Sequence, residues 1–402
     1  MKTTSRIILL AVVFASACRT SLEDAADNLV AMHTPGIMPA GICQLVVTGQ
    51  DTVKGADEMF AARSKTGAFM VMPNNSTVIN TTPLRKRAYA ADGTPLPVSN
   101  YRDDALPTDA YNVRSLVGTD NGFLVVTKAN ESQNWLSRYD VSGKTDTASL
   151  VVGPKSAYVG TSDGTEWVAG TTYDGSASFW FDSVDQNAEL EDRYKEFLTE
   201  SPGATPFLVA KAGNFLAIAS HQSNPRDKLD HLILFIQDVT AQTLLVRPNS
   251  VEIATGASTA NTGSVPTLIR IIPIAVGSSG AFILVWRDEN KQEYLAGVSH
   301  LGVVFKSYGP FNWSISDLRL IGFTGVSTTI NAVDNTIVVT ADPSLQNISL
   351  VVDAGGTVQE KAEIVMNDNL DDGRFAITWT ALAKNDASPT GHIVFLSYAG
   401  CN

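Results

Sequence analysis

Gly160-Thr-Ser162-Asp-Gly164 has the Gly-x-Ser-x-Gly spacing of a nucleophile elbow, in which a sharp strand-to-helix turn lifts a serine hydroxyl clear of a sheet. The residues that follow, TEWVAG, continue as a strand-like run, so the stretch reads as a hairpin turn. Ser142-Gly-Lys-Thr145 has the closing residues of a phosphate-cradling loop, but Arg138 stands where the earlier glycine is needed and no helix follows. Asn367–Gly373, NDNLDDG, holds enough carboxylates for calcium. Leu370, however, takes the third place counted from Asp368, and the ligand register of a calcium loop fails there. His33, His221, His231, His300 and His392 show no HxxxH or HxH spacing, and Cys18, Cys43 and Cys401 show no CxxC. The sequence therefore names no catalytic residue, no metal ligand and no cofactor.

Charge narrows the partners. Lys and Arg total 29 against 41 Asp and Glu, a formal net charge of −12, and the acidic excess is spread along the chain. Such a surface repels phosphate backbones and anionic headgroups, so nucleic acid is not an expected partner. With 402 residues, 44% of them apolar, the chain has ample material for a core.

Lys2 and Arg6 precede nine consecutive apolar residues, Ile7–Ala15, and Ala15-Ser16-Ala17 offers small side chains to a peptidase. Residues 1–17 read as a secretory signal. Nine residues reach about 14 Å as a helix, too short to span a bilayer. Cys18 follows directly, and the signal resembles that of bacterial lipoproteins, in which a cysteine after small residues is acylated and becomes the new N-terminus. Ser16 and Ala17 fit the resemblance, while Ala15 stands where Leu is usual. It implies lipidation of Cys18, a palmitate-type anchor as the sole membrane attachment and, with Arg19 after the cysteine, outer-membrane delivery. The alternative is a plain secreted or periplasmic protein. Residues 18–41 read as a tether, since His33-Thr-Pro-Gly and Met38-Pro-Ala-Gly break any helix.

From Ile42 onward a unit of strand, turn and strand recurs. Seven copies run over 59–72, 112–126, 156–170, 206–220, 270–286, 330–340 and 364–379. In six of them a glycine (Gly67, Gly122, Gly164, Gly213, Gly280 or Gly373) stands at the turn, where positive φ is expected, and Asp334-Asn335 serves in the remaining one. Further strand runs return in NWLSRYDVSGK, EYLAGVSHLGVV and NISLVVDAGGTV, and more faintly in LRKRAYAADGTP, HLILFIQDVTAQ and ASFWFDSVDQN. The turns recur about every 51 residues, which suits four-stranded blades. Repeats of this length and pattern resemble the β-propeller families, although no Gly-His…Trp-Asp pair is present and TSDGTEW falls one residue short of an Asp-box. The expected fold is all-β: a β-propeller over residues 42–402, with seven four-stranded blades preferred over six or eight. Asp185–Glu200 interrupts the pattern with Leu190, Tyr194, Phe197 and Leu198 on one helical face, so a short helix is expected there. Pro248–Ser264 has the composition of a long exposed loop.

A ring of blades needs its ends to meet. Ile42–Thr48 and His392–Tyr398 are the first and last strand runs and are expected to share one blade, with Cys43 and Cys401 paired as a disulfide clasp. The polar loops Asn130–Gln133, His221–Asp230, Asp288–Lys291, Asp342–Gln346 and Lys384–Pro389 are where function should lie. Two function classes fit. The favoured one is a non-catalytic, monomeric, envelope-anchored binder of a protein or glycan; the alternative is a hydrolase or lyase acting on extracellular polymers from the channel mouth. Exposed aromatics on a shallow face favour the first, and converging carboxylates in a deep axial pocket favour the second.

Overall fold

A computed structural model describes residues 44–74, 86–97, 111–129, 133–152, 154–162, 165–172, 178–191, 195–198, 205–224, 229–240, 249–257, 266–276, 279–288, 290, 292–311, 319–321, 324–341, 348–359, 362–367 and 372–399. Among them there is no helix. The strands form seven antiparallel sheets, and the fold is all-β, of the β-propeller class. β1 (Gln44–Lys54) opens the chain, and β2 (Glu58–Arg63), β3 (Phe69–Asn74) and β4 (Arg87–Tyr89) make the next sheet. β5 (Tyr111–Gly118), β6 (Gly122–Lys128), β7 (Gln133–Asp140) and β8 (Thr145–Val152) follow in order. β9 (Pro154–Ser162), β10 (Thr165–Thr172) and β11 (Ser178–Ser183) form another sheet, and β12 (Lys195–Leu198) comes next in the chain. Two regular meanders come after: β13 (Thr205–Ala212), β14 (Phe215–Asn224), β15 (Leu229–Asp238) and β16 (Asn249–Ala257), then β17 (Thr267–Val276), β18 (Ser279–Arg287), β19 (Glu293–Ser299) and β20 (Val304–Phe311). β21 (Arg319–Ile321), β22 (Thr324–Asn331), β23 (Thr336–Ala341) and β24 (Ile348–Asp353) form the sixth. The last contains β25 (Thr357–Val358), β26 (Glu363–Val365), β27 (Arg374–Leu382) and β28 (Thr390–Ala399). The chain divides into two compact units, with β13–β20 in one and β1–β11 and β21–β28 in the other.

The expected closure is present. β1 pairs antiparallel with β28 from Gln44↔Ala399 to Lys54↔Thr390, so the N-terminal strand completes the sheet built by the C-terminal ones. Leu45 enters one apolar cluster with Phe375, Ile377, Trp379, Val339 and Ile337, all fully or almost fully buried. Three second strands are covered on both faces: β3 is buried at every residue, as are Gly122–Thr127 of β6 and Phe375–Ala381 of β27, whereas β22 is polar and exposed at Thr329.

The returning runs share one turn. In Ala90–Thr94, Asp140–Lys144, Asp185–Glu189 and Ser299–Val303 the first residue's N–H donates to the fifth carbonyl, at 2.8, 2.9, 2.9 and 2.9 Å. The fourth residue is left-handed: Gly93, Gly143, Ala188 and Gly302 have φ of 86, 78, 60 and 75°. A side chain at the first place closes three of them. Asp140 Oδ1 accepts the N–H groups of Ser142 and Lys144, Asp185 Oδ1 those of Asn187 and Glu189, and Ser299 Oγ those of Leu301 and Val303.

That turn overturns the expected helix at Asp185–Glu200. The Asp185 carboxylate holds the chain back on itself, Val184 bridges Leu190, and Lys195–Leu198 is strand. The expected long loop at Pro248–Ser264 is also corrected, since Asn249–Ala257 is β16, a half-exposed edge strand paired with β15. Positive φ holds at Gly67, Gly213, Asn335 and Gly373 but not at Gly122 or Gly280. Those two are small because a Cβ would lie 1.9 Å from the Tyr139 carbonyl oxygen and 2.3 Å from that of Ala212.

Candidate functional site

The motif residues singled out for chemistry fall into the framework. Ser162 ends β9 and pairs with Thr165 at the start of β10, so the Gly-x-Ser-x-Gly stretch is a hairpin. Ser142-Gly-Lys-Thr145 is the turn closed by Asp140. In NDNLDDG, Asp372 receives the Arg63 guanidinium, Nη1 to Oδ1 at 2.8 Å and Nη2 to Oδ2 at 2.5 Å, while Asn367 Nδ2 donates to the Arg63 carbonyl at 3.0 Å. Its residues 368–371 lie outside the described residues, as do Cys18, Cys43 and Cys401. Among the described residues no three His, Cys, Asp or Glu side chains converge as metal ligands would.

His221–Asp230 proves mostly strand, with β14 running to Asn224 and β15 starting at Leu229. The Asp288–Lys291 loop is the informative one. Its neighbours β18 and β19 form a ladder of cross-strand pairs, Val285↔Leu295, Trp286↔Tyr294 and Arg287↔Glu293, ending where the loop begins. Period-two alternation puts Trp286 and Tyr294 on one face, and their rings stack at 4.3 Å and 10°. Both are part-exposed, and Trp286 packs its inner side on the cluster of Phe282 and Leu284. Gly309 of β20 lets the fourth strand pass the tyrosine, since a Cβ there would lie 2.7 Å from Cδ1.

Asp288 makes this end of the sheet rigid. Its Oδ1 accepts the N–H groups of Asn290 and Gln292 at 2.9 and 2.8 Å, and its Oδ2 accepts the Tyr294 hydroxyl at 3.2 Å. Desolvation, with the Asp288 charge and this hydrogen bond behind it, raises the Tyr294 pKa, so the phenol stays protonated. On the opposite face of the same two strands the Arg287 guanidinium pairs with the buried Glu293 carboxylate. An aromatic pair and a fixed carboxylate, Asp288, thus stand together on one face at a loop end. That set suits stacking and hydrogen bonding to a polyhydroxylated ligand. The sequence pointed to the loop but not to the pair, whose partners are eight residues apart and meet only through the register.

No protein-family model and no curated protein matches this chain. Among solved structures it is similar to the polysaccharide lyase Uly1, with 11% identity, 86% of this chain and 90% of that one covered, and a TM-score of 0.47. It is also similar to the subtype N11 neuraminidase-like protein of A/flat-faced bat/Peru (H18N11), at 11% identity, 91% and 97% coverage and a TM-score of 0.40. A prolyl endopeptidase is matched at 12% identity and a TM-score of 0.39, over 73% of this chain, which spans 40% of that chain's length. At these scores the likenesses carry no argument about activity.

Proposed function

We propose that the protein is a non-catalytic β-propeller, anchored to the cell envelope through acylated Cys18, that binds a glycan on the Trp286–Tyr294 shelf. The observation that supports this reading is the stacked, part-exposed aromatic pair beside Asp288 at the end of β18 and β19. A sugar ring presents an apolar face to such rings and hydroxyls to the neighbouring Asp288 carboxylate, so the ligand needs no net charge to be held. In this reading the protein works as a monomer, and lipid alone ties it to the membrane.

Titration of the mature chain with soluble extracellular polysaccharides, followed by affinity electrophoresis, tests it. Trp286→Ala is expected to weaken binding about tenfold, the loss of roughly 1.4 kcal/mol of stacking. Because Trp286 also packs on the core, Tyr294→Phe is the companion variant, expected to weaken binding at unchanged melting temperature. Binding indifferent to both variants contradicts the reading. Mass spectrometry of the N-terminus checks the anchor, and an unacylated mature chain in the soluble fraction contradicts it.

A further inference from the structure

The turn that follows β24 leads out of its sheet. At Asp140–Lys144 and Ser299–Val303 the chain turns into a fourth strand, β8 or β20, which pairs with the strand it has just left. Asp353 makes a turn after a fourth strand, its Oδ1 accepting the Gly355 N–H at 2.9 Å, with Gly355 and Gly356 at φ of 73 and 151°. The chain then enters β25, where Thr357 and Val358 pair with Leu382 and Ala381 of β27, and β26 continues along the same partner. That segment is the inner strand of the next sheet, and β24 is the fourth and last strand of its own. All six of its residues pair with β23 on one side, and among the described residues no strand pairs on the other.

Nothing in the strand blunts this edge. Ile348–Asp353 contains no proline, lysine or bulge, the usual devices against strand addition. Ser349, Val351 and Asp353 form an exposed row, with Val351 61% exposed. Ile348, Leu350 and Val352 lie half-buried on the cluster that Leu45 joins, so they fix the strand in place. The charge at its C-terminal end is negative. The Ala354 N–H donates to the Asn335 carbonyl at 2.9 Å, which sets the Asp334 turn beside Asp353. Among the described residues of this sheet the one cation is Arg319, in β21 at the opposite edge.

We propose that the outer edge of β24, unpaired among the described residues, takes up an extended segment of a partner protein as an added antiparallel strand, with alternating β-branched residues and Lys or Arg at its N-terminal end. Main-chain hydrogen bonds supply the affinity, and the alternate side chains and the Asp353 end supply register and direction. A second copy of the chain fits less well, since two molecules of net charge −12 repel. The chain's own residues 19–41 fit less well too, because they carry Glu23, Asp24 and Asp27 against Arg19. The edge is a different surface from the Trp286 shelf, so either proposal can fail without the other.

A fluorescent peptide Lys-Lys-Val-Thr-Val-Thr-Val-Thr, compared by anisotropy with one bearing its lysines at the C-terminal end, is the probe. Micromolar binding of the first, weakened about tenfold by Val351→Lys, is expected. Asp353→Lys is expected to abolish the preference for N-terminal lysines, and hydrogen exchange at 348–353 is expected to slow on binding. No binding up to about 1 mM, or binding unchanged in Val351→Lys, overturns the proposal. So does a concentration-dependent rise in mass by light scattering that Val351→Lys abolishes, which identifies a second copy. Binding that appears only when residues 19–41 are deleted also overturns it and identifies that segment as the occupant.

Discussion

Arg63 shows how far a side chain's partner can lie from it in sequence. Its guanidinium is fully buried, pairs with Asp372, donates to the Arg374 and Gly67 carbonyls and lies 5.0 Å over the Phe69 ring. Burial alone would push the Asp372 carboxyl up, but the Arg63 hydrogen bonds and charge, helped by the Arg374 N–H, hold it below the usual carboxylate range. Removing one partner leaves a cation without its counter-charge in the interior. Asp372→Ala is therefore expected to cost about 3 kcal/mol in denaturant unfolding, the low end for a buried pair because Asp372 is itself 37% exposed. Asp372→Asn should cost less, since its amide oxygen still accepts. A folded pKa below the unfolded one adds stability at pH above about 3.9, which is lost as pH falls through the depressed value. The turn character of NDNLDDG was legible in the sequence. Its partner, 309 residues away, was not, because no local spacing encodes it.

At the scale of elements, legibility followed burial. Second strands such as β3, β6 and β27 announced themselves as apolar runs because both of their faces are covered, and all seven expected hairpins are present in the structure. The misread elements are peripheral. Leu190, Tyr194, Phe197 and Leu198 kept a helical spacing, yet the Asp185 turn and left-handed Ala188 fix the start of that segment in another conformation. The capped turn itself was present in the sequence as repeated Asp or Ser three places before Gly or Ala, a signal that reading strands alone passes over. One pairing between strands also carries a pH response. His392 of β28 stacks on Trp379 of β27 at 5.0 Å and 2°, with Gly355 so close that a Cβ would lie 2.6 Å from Cε1. Burial lowers its pKa, and the nearby Asp353 charge only partly restores it. The unfolded chain then binds the proton better, so stability is full above about pH 6.5 and falls as pH drops towards the depressed folded value. Melting temperatures between pH 5 and 8 should show this decline, and His392→Gln should flatten it.

For the whole molecule, the repeat spacing and the strand runs at the two ends foretold both the sheets and their closure, because a propeller's blade is a local unit and only its last strand comes from afar. What the spacing could not foretell is that the segment after β24 would leave its own sheet for the next, since nothing in Thr357–Val365 marks the change of partner. The pairing Gln44↔Ala399 is the last of the described ladder, and Cys43 and Cys401 lie outside the described residues, so the clasp between them is a proposal. Titration of the denatured, unreduced protein should find neither thiol reactive, and two reactive thiols would show the clasp absent. The most direct measurement for a binder that leaves its ligand unchanged follows polymer length and occupancy together. The mature chain is incubated with each polysaccharide it retains, and the polymer is then sized by light scattering and tested for new ends. Retention that Trp286→Ala weakens, with the polymer recovered at its original length, is the predicted result; progressive shortening of the polymer by the wild-type protein would contradict it.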